Sequence, residues 1–106
     1  MDNMHRNYEV VIVLKPQLAD KDIADFMENT KTAITNGNGE VVSEEKLGRK
    51  RLAHEIKKER EGFFLLFKFK SGVELLESFK KNLTLNESVL RHMVLTSEEV
   101  KNKSAK

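Results

Sequence analysis

Hydrophobic residues recur along this chain with two different periods. From Tyr8 to Leu14 the segment YEVVIVL is rich in β-branched residues and is closed by Pro16, which predicts a strand. Tyr8, Val10, Ile12 and Leu14 share one of its faces, and Val11 and Val13 the other. Beyond Gln17 the period lengthens. Ile23, Phe26 or Met27, Thr30 and Ile34 form one helical stripe, Asp20 and Asp22 sit in the positive first turn, and Asn36-Gly37 stops the helix. Asn38-Gly39 predicts a turn, and EVVSEEKLGRKRLAHEI (40–56) a long, interrupted strand with Gly48 as a bulge or bend.

Residues 57–62 are polar and are expected to form a connection before a third strand, FFLLFKF, at 63–69. Ser71 and Glu74 have capping-box spacing, and Val73, Leu76, Phe79 or Lys80, and Leu83 repeat at helical intervals, so a second helix is expected over about 72–82. SVLRHMVL (88–95) returns to strand chemistry, and TSEEVKNKSAK follows it as a polar tail. One domain is expected over residues 1–97, with a flexible tail over 98–106. The order βαββαβ is that of an α+β, ferredoxin-like fold: a four-stranded antiparallel sheet with both helices on one face. Tyr8, Val10, Ile12 and Leu14 would then face the helices with Phe63, Leu65, Phe67 and Phe69. Val11, Val13, Phe64 and Leu66 would look outward, rimmed by Lys68, Lys70 and Arg91. An apolar patch on an open sheet marks a binding surface, a self-associating face, or a face partly covered by the tail.

Composition narrows this little. With 106 residues, 39% hydrophobic and 34% charged, the chain suits a single globular core. The absence of cysteine excludes disulfides and thiolate metal sites and suits a reducing compartment, so a cytoplasmic location is expected. The apolar run Val10–Leu14 is far too short for a membrane span, and Met1-Asp2-Asn3 is unlike a signal peptide, so neither export nor insertion is expected. A net charge of +2 is weak evidence of a polyanionic partner, but its distribution is uneven. Between Gln17 and Glu45 seven acids face Lys21 and Lys31. From Lys46 to Arg60 the balance reverses, with Lys46, Arg49, Lys50, Arg51, Lys57, Lys58 and Arg60 against Glu55 and Glu59.

Chemistry for catalysis is sparse. His5 lies in a polar leader, His54 and His92 lie in expected strands, and no acid pair has a recognisable spacing, so no catalytic residue, metal site or cofactor is assigned. NGNG (36–39) leads into a strand rather than a helix, so it offers no helix N-terminus to a phosphate. The basic arm carries the stronger signal. Its alternating cations suit phosphate contact, or equally an edge strand guarded against aggregation.

GRKRLAHEIK (48–57) closely resembles the signature of the bacterial small-subunit ribosomal protein S six (S6) family: a glycine, a basic pair, Leu-Ala, an aromatic, then Ile and a basic residue. YEVVIVLKPQL, EGFFLLFKF and VLRHMVL fall in the family's order and spacing, so the resemblance runs from Tyr8 to about Glu98. His54 stands where the family usually carries tyrosine, and His92 where it usually carries an apolar residue. The resemblance implies a protein without enzymatic activity that binds the central domain of small-subunit ribosomal RNA as a heterodimer with ribosomal protein S eighteen (S18), with no DNA or membrane partner. On that basis Arg6, Arg49, Arg51 and Arg91 are the first candidates for RNA contact, and Lys50, Lys57, Lys58 and Arg60 the second. Val11, Val13, Phe64, Leu66 and Met93 are the candidates for partner contact. Two alternatives stay open. An RNA recognition motif shares the element order, although Phe64 replaces a small residue of its third-strand signature and inverts which rings face outward. A ferredoxin-like sensor or enzyme that dimerises through the open sheet would explain the patch without RNA.

Overall fold

The computed structural model describes residues 6–96. Six elements follow one another: β1 (Arg6–Leu14), α1 (Asp20–Asn36), β2 (Glu40–Ile56), β3 (Glu59–Ser71), α2 (Val73–Leu85) and β4 (Val89–Thr96). The strands form one antiparallel sheet in the order β2-β3-β1-β4. The two most apolar strands, β1 and β3, are therefore central, where both their edges are paired.

Tyr8, Val10, Ile12 and Leu14 pair directly with Phe69, Phe67, Leu65 and Phe63. Ile23, Met27 and Ile34 of α1, with Leu76, Phe79 and Leu83 of α2, cover that face and complete the core. Met27 rather than Phe26 takes the buried place in the α1 stripe. Thr30 is tolerated there because its Oγ1 donates to the Phe26 carbonyl at 2.8 Å. Phe69 stands between the rings of Tyr8 and Phe79, at centroid distances of 5.9 and 5.4 Å. Such pairs contribute about 0.5–1.5 kcal/mol beyond their buried area.

Two local expectations are corrected. The connection expected over 57–62 shrinks to Lys57 and Lys58, since Ile56 already pairs with Glu59 and β3 begins there. Both lysines have positive φ, 50° and 69°, as the two central residues of a type I′ hairpin turn must. The polar residues 59–62 read as loop, but Glu59, Glu61 and Gly62 take partners across the hairpin. Next, Ser71 does not cap α2. Gly72 is the N-cap, Ser71 Oγ donates to the Gly72 carbonyl at 3.0 Å, and the helix runs on to Leu85. Asn36-Gly37 ends α1 as expected, and Asn38 takes the left-handed conformation after it, with φ 68°. The expected tail over 98–106 and the leader carrying His5 lie outside the described residues.

β2 is interrupted as expected. Its register against β3 shifts between Val41 and Ser43, between Lys46 and Gly48, and again between Arg51 and Ile56. Val42 and Leu47 are the extra residues of the first two shifts, and both are exposed. Gly48 follows the second with φ +96°, a conformation that a Cβ would strain. In the third, residues 52–55 stand against Arg60 alone. Each bulge adds twist, so the end of the β2–β3 hairpin curls as an arm beyond the sheet.

Candidate nucleic-acid interface

The bulges decide which face each basic side chain joins. Glu44 and Lys46 pair with Phe67 and Leu65, so they lie on the helix-bearing side of the sheet. The extra residue at Leu47 reverses the alternation, and Arg49, opposite Phe63, comes to that side instead. Lys50, opposite Gly62, goes to the open side, where its ammonium lies 5.9 Å from the Phe64 ring centroid. That is cation–π distance, contributing about 0.5–1 kcal/mol at an exposed site.

On the open face Val11 lies between Leu66 and Met93, Val13 between Phe64 and Arg91, and Glu9 between Lys68 and Leu95. A strip of apolar side chains thus crosses three strands, with Met93 45% exposed and Val11, Leu66 and Phe64 half-buried. Lys68 and Glu9 close one end at 3.9 Å. Val13 departs from expectation. It belongs to the open face but is only 3% exposed, because Gly62 and Leu52 of the arm lie against it. It therefore offers almost no free surface to a partner. Arg51, His54 and Arg91 join Leu52, Phe64 and Met93 around a hollow of about 200 Å³ where the arm meets the open face.

The candidate RNA contacts do not all converge. Arg51 and Arg91 border this hollow, and Lys50 lies over the ring of Phe64, which lines it. Lys57, at the turn, reaches the β4 side, where its Nζ donates to the Val89 carbonyl at 3.4 Å. Arg60 is exposed beside Arg51 and Leu52 on the arm, and Lys58 is exposed at its tip. Arg49 is exposed but committed in part: its Nη2 donates to the Pro16 carbonyl at 2.8 Å. Gln17 donates to the Glu59 carboxylate at 3.0–3.1 Å, so the β1–α1 loop braces the arm at a second point. Arg6 stands apart. It pairs with Ser71 at the opposite end of β1, about 26 Å from Leu14 at strand rise.

The acidic stretch occupies α1 and the start of β2, away from the arm. Lys31 bridges Glu44 at 3.0 Å and Glu28 at 3.6 Å, and the Glu44 hydrogen bond, aided by both charges, raises its pKa. His92 pairs with Ile12 on the helix-bearing side, where partial burial, then the charge of Lys80, lowers its pKa. Among the described residues no group of three or more His, Asp or Glu is placed to hold a metal. The covering role of Leu52 was not legible in the sequence, although Gly62, a glycine beside an apolar strand, is the kind of residue that permits close approach.

The family described as Ribosomal protein S6 matches residues 7–96. The small ribosomal subunit protein bS6 of Elusimicrobium minutum is 52% identical over 66 residues, covering 62% of this chain and 64% of the relative. That of Desulforamulus reducens is 38% identical over 66 residues, covering 62% and 70%. The chain thus spans a little under two thirds of the length of the Elusimicrobium protein. The crystal structure of 30S ribosomal protein S6 from Thermotoga maritima superposes with a TM-score of 0.84 over 95% of both chains, at 20% identity. The C-terminal domain of the MgtC protein from Mycobacterium tuberculosis gives a TM-score of 0.58 at 14% identity, covering 92% of this chain and 94% of that domain. At such identities both likenesses speak to the fold alone, which serves more than one purpose. Because the family match takes in nearly every described residue, this chain belongs to the ribosomal protein S6 family.

Proposed function

We propose that this protein is a structural, non-enzymatic component of the small ribosomal subunit in the cytoplasm, binding small-subunit ribosomal RNA together with ribosomal protein S18. The observation that carries this reading is the junction of two surfaces. An apolar strip that no described residue covers, Val11, Leu66 and Met93, runs into the base of the arm, where Arg51 and Arg91 border a hollow and Lys50 lies over Phe64. The strip suits the apolar centre of a protein–protein interface. The cations suit phosphate and sugar contacts that position a folded RNA by shape rather than by base sequence. Together the two proteins would neutralise phosphates along one RNA conformation and so favour it over others, which is how a ligand promotes assembly.

The other two readings find less support. Of the six phenylalanines and one tyrosine, Phe64 alone faces out from the open sheet, and one ring makes no platform for successive bases. The hollow beside it, at about 200 Å³, is smaller than the usual small-molecule site. The test is reconstitution with purified S18 and a transcript of the RNA central domain. Leu66→Glu is expected to abolish S18 capture while the protein stays folded. Changing Lys50, Arg51 and Arg91 together to Gln is expected to spare S18 capture and to lower the salt slope of RNA binding by about 2. Wild-type protein that binds neither S18 nor the transcript would sink the proposal.

A further inference from the structure

Cationic side chains also gather on the far side of the β4 edge. The C-terminal half of α2 lies beside β4 and leaves a groove there. One stretch, about 440 Å³, is lined by Lys80, Lys81, Thr84 and His92 among others. The next, about 230 Å³, is lined by Lys57, Thr84, Arg91 and His92 with the apolar Leu83 and Val89. Thr84 and His92 belong to both, so the two stretches are continuous. Three separate elements thus bring Lys57, Lys80, Lys81, Arg91 and His92 to one channel. Among the described residues Glu77 is the single acid lining it, 3.9 Å from the Lys80 ammonium and largely exposed.

Continuity with the arm identifies the occupant. Arg91 borders both this groove and the open-face hollow, and Lys57 reaches the groove from the arm's own turn. Arg91 and His92 are consecutive in β4, so they project from opposite faces of the sheet at its edge. We infer that the groove between α2 and β4 is a second RNA-backbone contact, in which phosphates of one strand lie along Lys81, Lys80, His92, Arg91 and Lys57 as the strand rounds the β4 edge. This rests on the RNA-binding reading above and extends it to Lys80, Lys81 and His92. Phosphate oxygens here would exchange hydration for charge-assisted hydrogen bonds to ammonium and imidazole donors. His92 ordinarily sits below its usual range under the influence of burial and Lys80, and a phosphate would oppose that influence.

The experiment compares full-length variants by fluorescence anisotropy, titrating the central-domain transcript over a salt series. The double substitution Lys80→Gln/Lys81→Gln is expected to weaken binding about tenfold at low salt and to lower the log–log salt slope by about 1.5, the share of two phosphate contacts. Glu77→Gln is expected to tighten binding, a gain that misfolding does not produce. Capture of S18 is expected to be unchanged in both. If both variants bind the transcript like wild type while Lys50→Gln/Arg51→Gln loses affinity, the groove proposal falls and the proposed function stands. If arm and groove variants alike leave RNA binding untouched, the RNA-binding reading falls and takes the groove with it. Preferential binding of poly-glutamate over the transcript, lost in Lys80→Gln/Lys81→Gln, would give the groove to an acidic protein and overturn the inference.

Discussion

Gly62 is where the arm is joined to the open face, and replacing it by alanine tests that joint. A Cβ at this position would run into Val13 Cγ1 and lie 3.3 Å from the Leu14 carbonyl oxygen. Carbon atoms pack best at about 3.5–4.0 Å, so the valine methyl must retreat by about 1 Å or the arm must lift. The backbone has little room to give, because Leu14 pairs with Phe63 immediately beside the contact. Overpacking of this kind costs about 1–3 kcal/mol, and the entropy gained on replacing glycine in a strand returns about 0.5–1. The expected net loss is therefore about 1–2 kcal/mol. Val13→Ala alone removes two buried methyl groups and should cost about 1.5–2.5 kcal/mol. In the double variant the new methyl occupies the space vacated by Val13, so the two losses should fall short of their sum by about 1–2 kcal/mol. Urea unfolding followed by circular dichroism reads this directly, since about 1.5 kcal/mol moves the midpoint by about 1 M in a domain of this size. Strict additivity of Gly62→Ala and Val13→Ala would refute the close approach of the arm to β1.

Two further outcomes follow from local geometry. Lys58 adopts φ 69° in the hairpin turn, where a side chain is disfavoured, so Lys58→Gly should raise stability by about 1 kcal/mol, seen as a higher urea midpoint at unchanged slope. A fall in stability would show that the turn does not require φ > 0 there. His92 has its pKa lowered in the fold, so between that value and the higher unfolded one the unfolded chain binds more protons. Its contribution is complete above the unfolded pKa and is lost as pH falls through the folded one. Melting temperatures measured from about pH 7.5 down to about pH 5.5 should therefore drop more for wild type than for His92→Gln. Parallel curves would show that His92 is free of Lys80 and of burial.

Much of this molecule is determined by local chemistry. The alternation of β1 and β3, the Ile23–Met27–Thr30–Ile34 stripe and the glycine at the β2 bend are each a pattern over a few residues, and each occupies the element its pattern implies. The element order then limits how the sheet can be assembled, which made the fold class and the open apolar face legible together. The placement of charge was not legible, because it depends on pairing between strands. The extra residue at Leu47 exchanges the faces of the basic pair that follows it, sending Lys50 to the open side and Arg49 to the Pro16 carbonyl. Arg6, grouped with the arm through the family resemblance, is separated from it by the length of β1. Val13 was buried not by its neighbours in sequence but by Leu52 and Gly62, some forty to fifty positions away. A strand's period of two is a local property, whereas bulges, hairpin curl and the meeting of α2 with β4 arise from backbone hydrogen bonding and packing across the chain, and these decided where the cations meet.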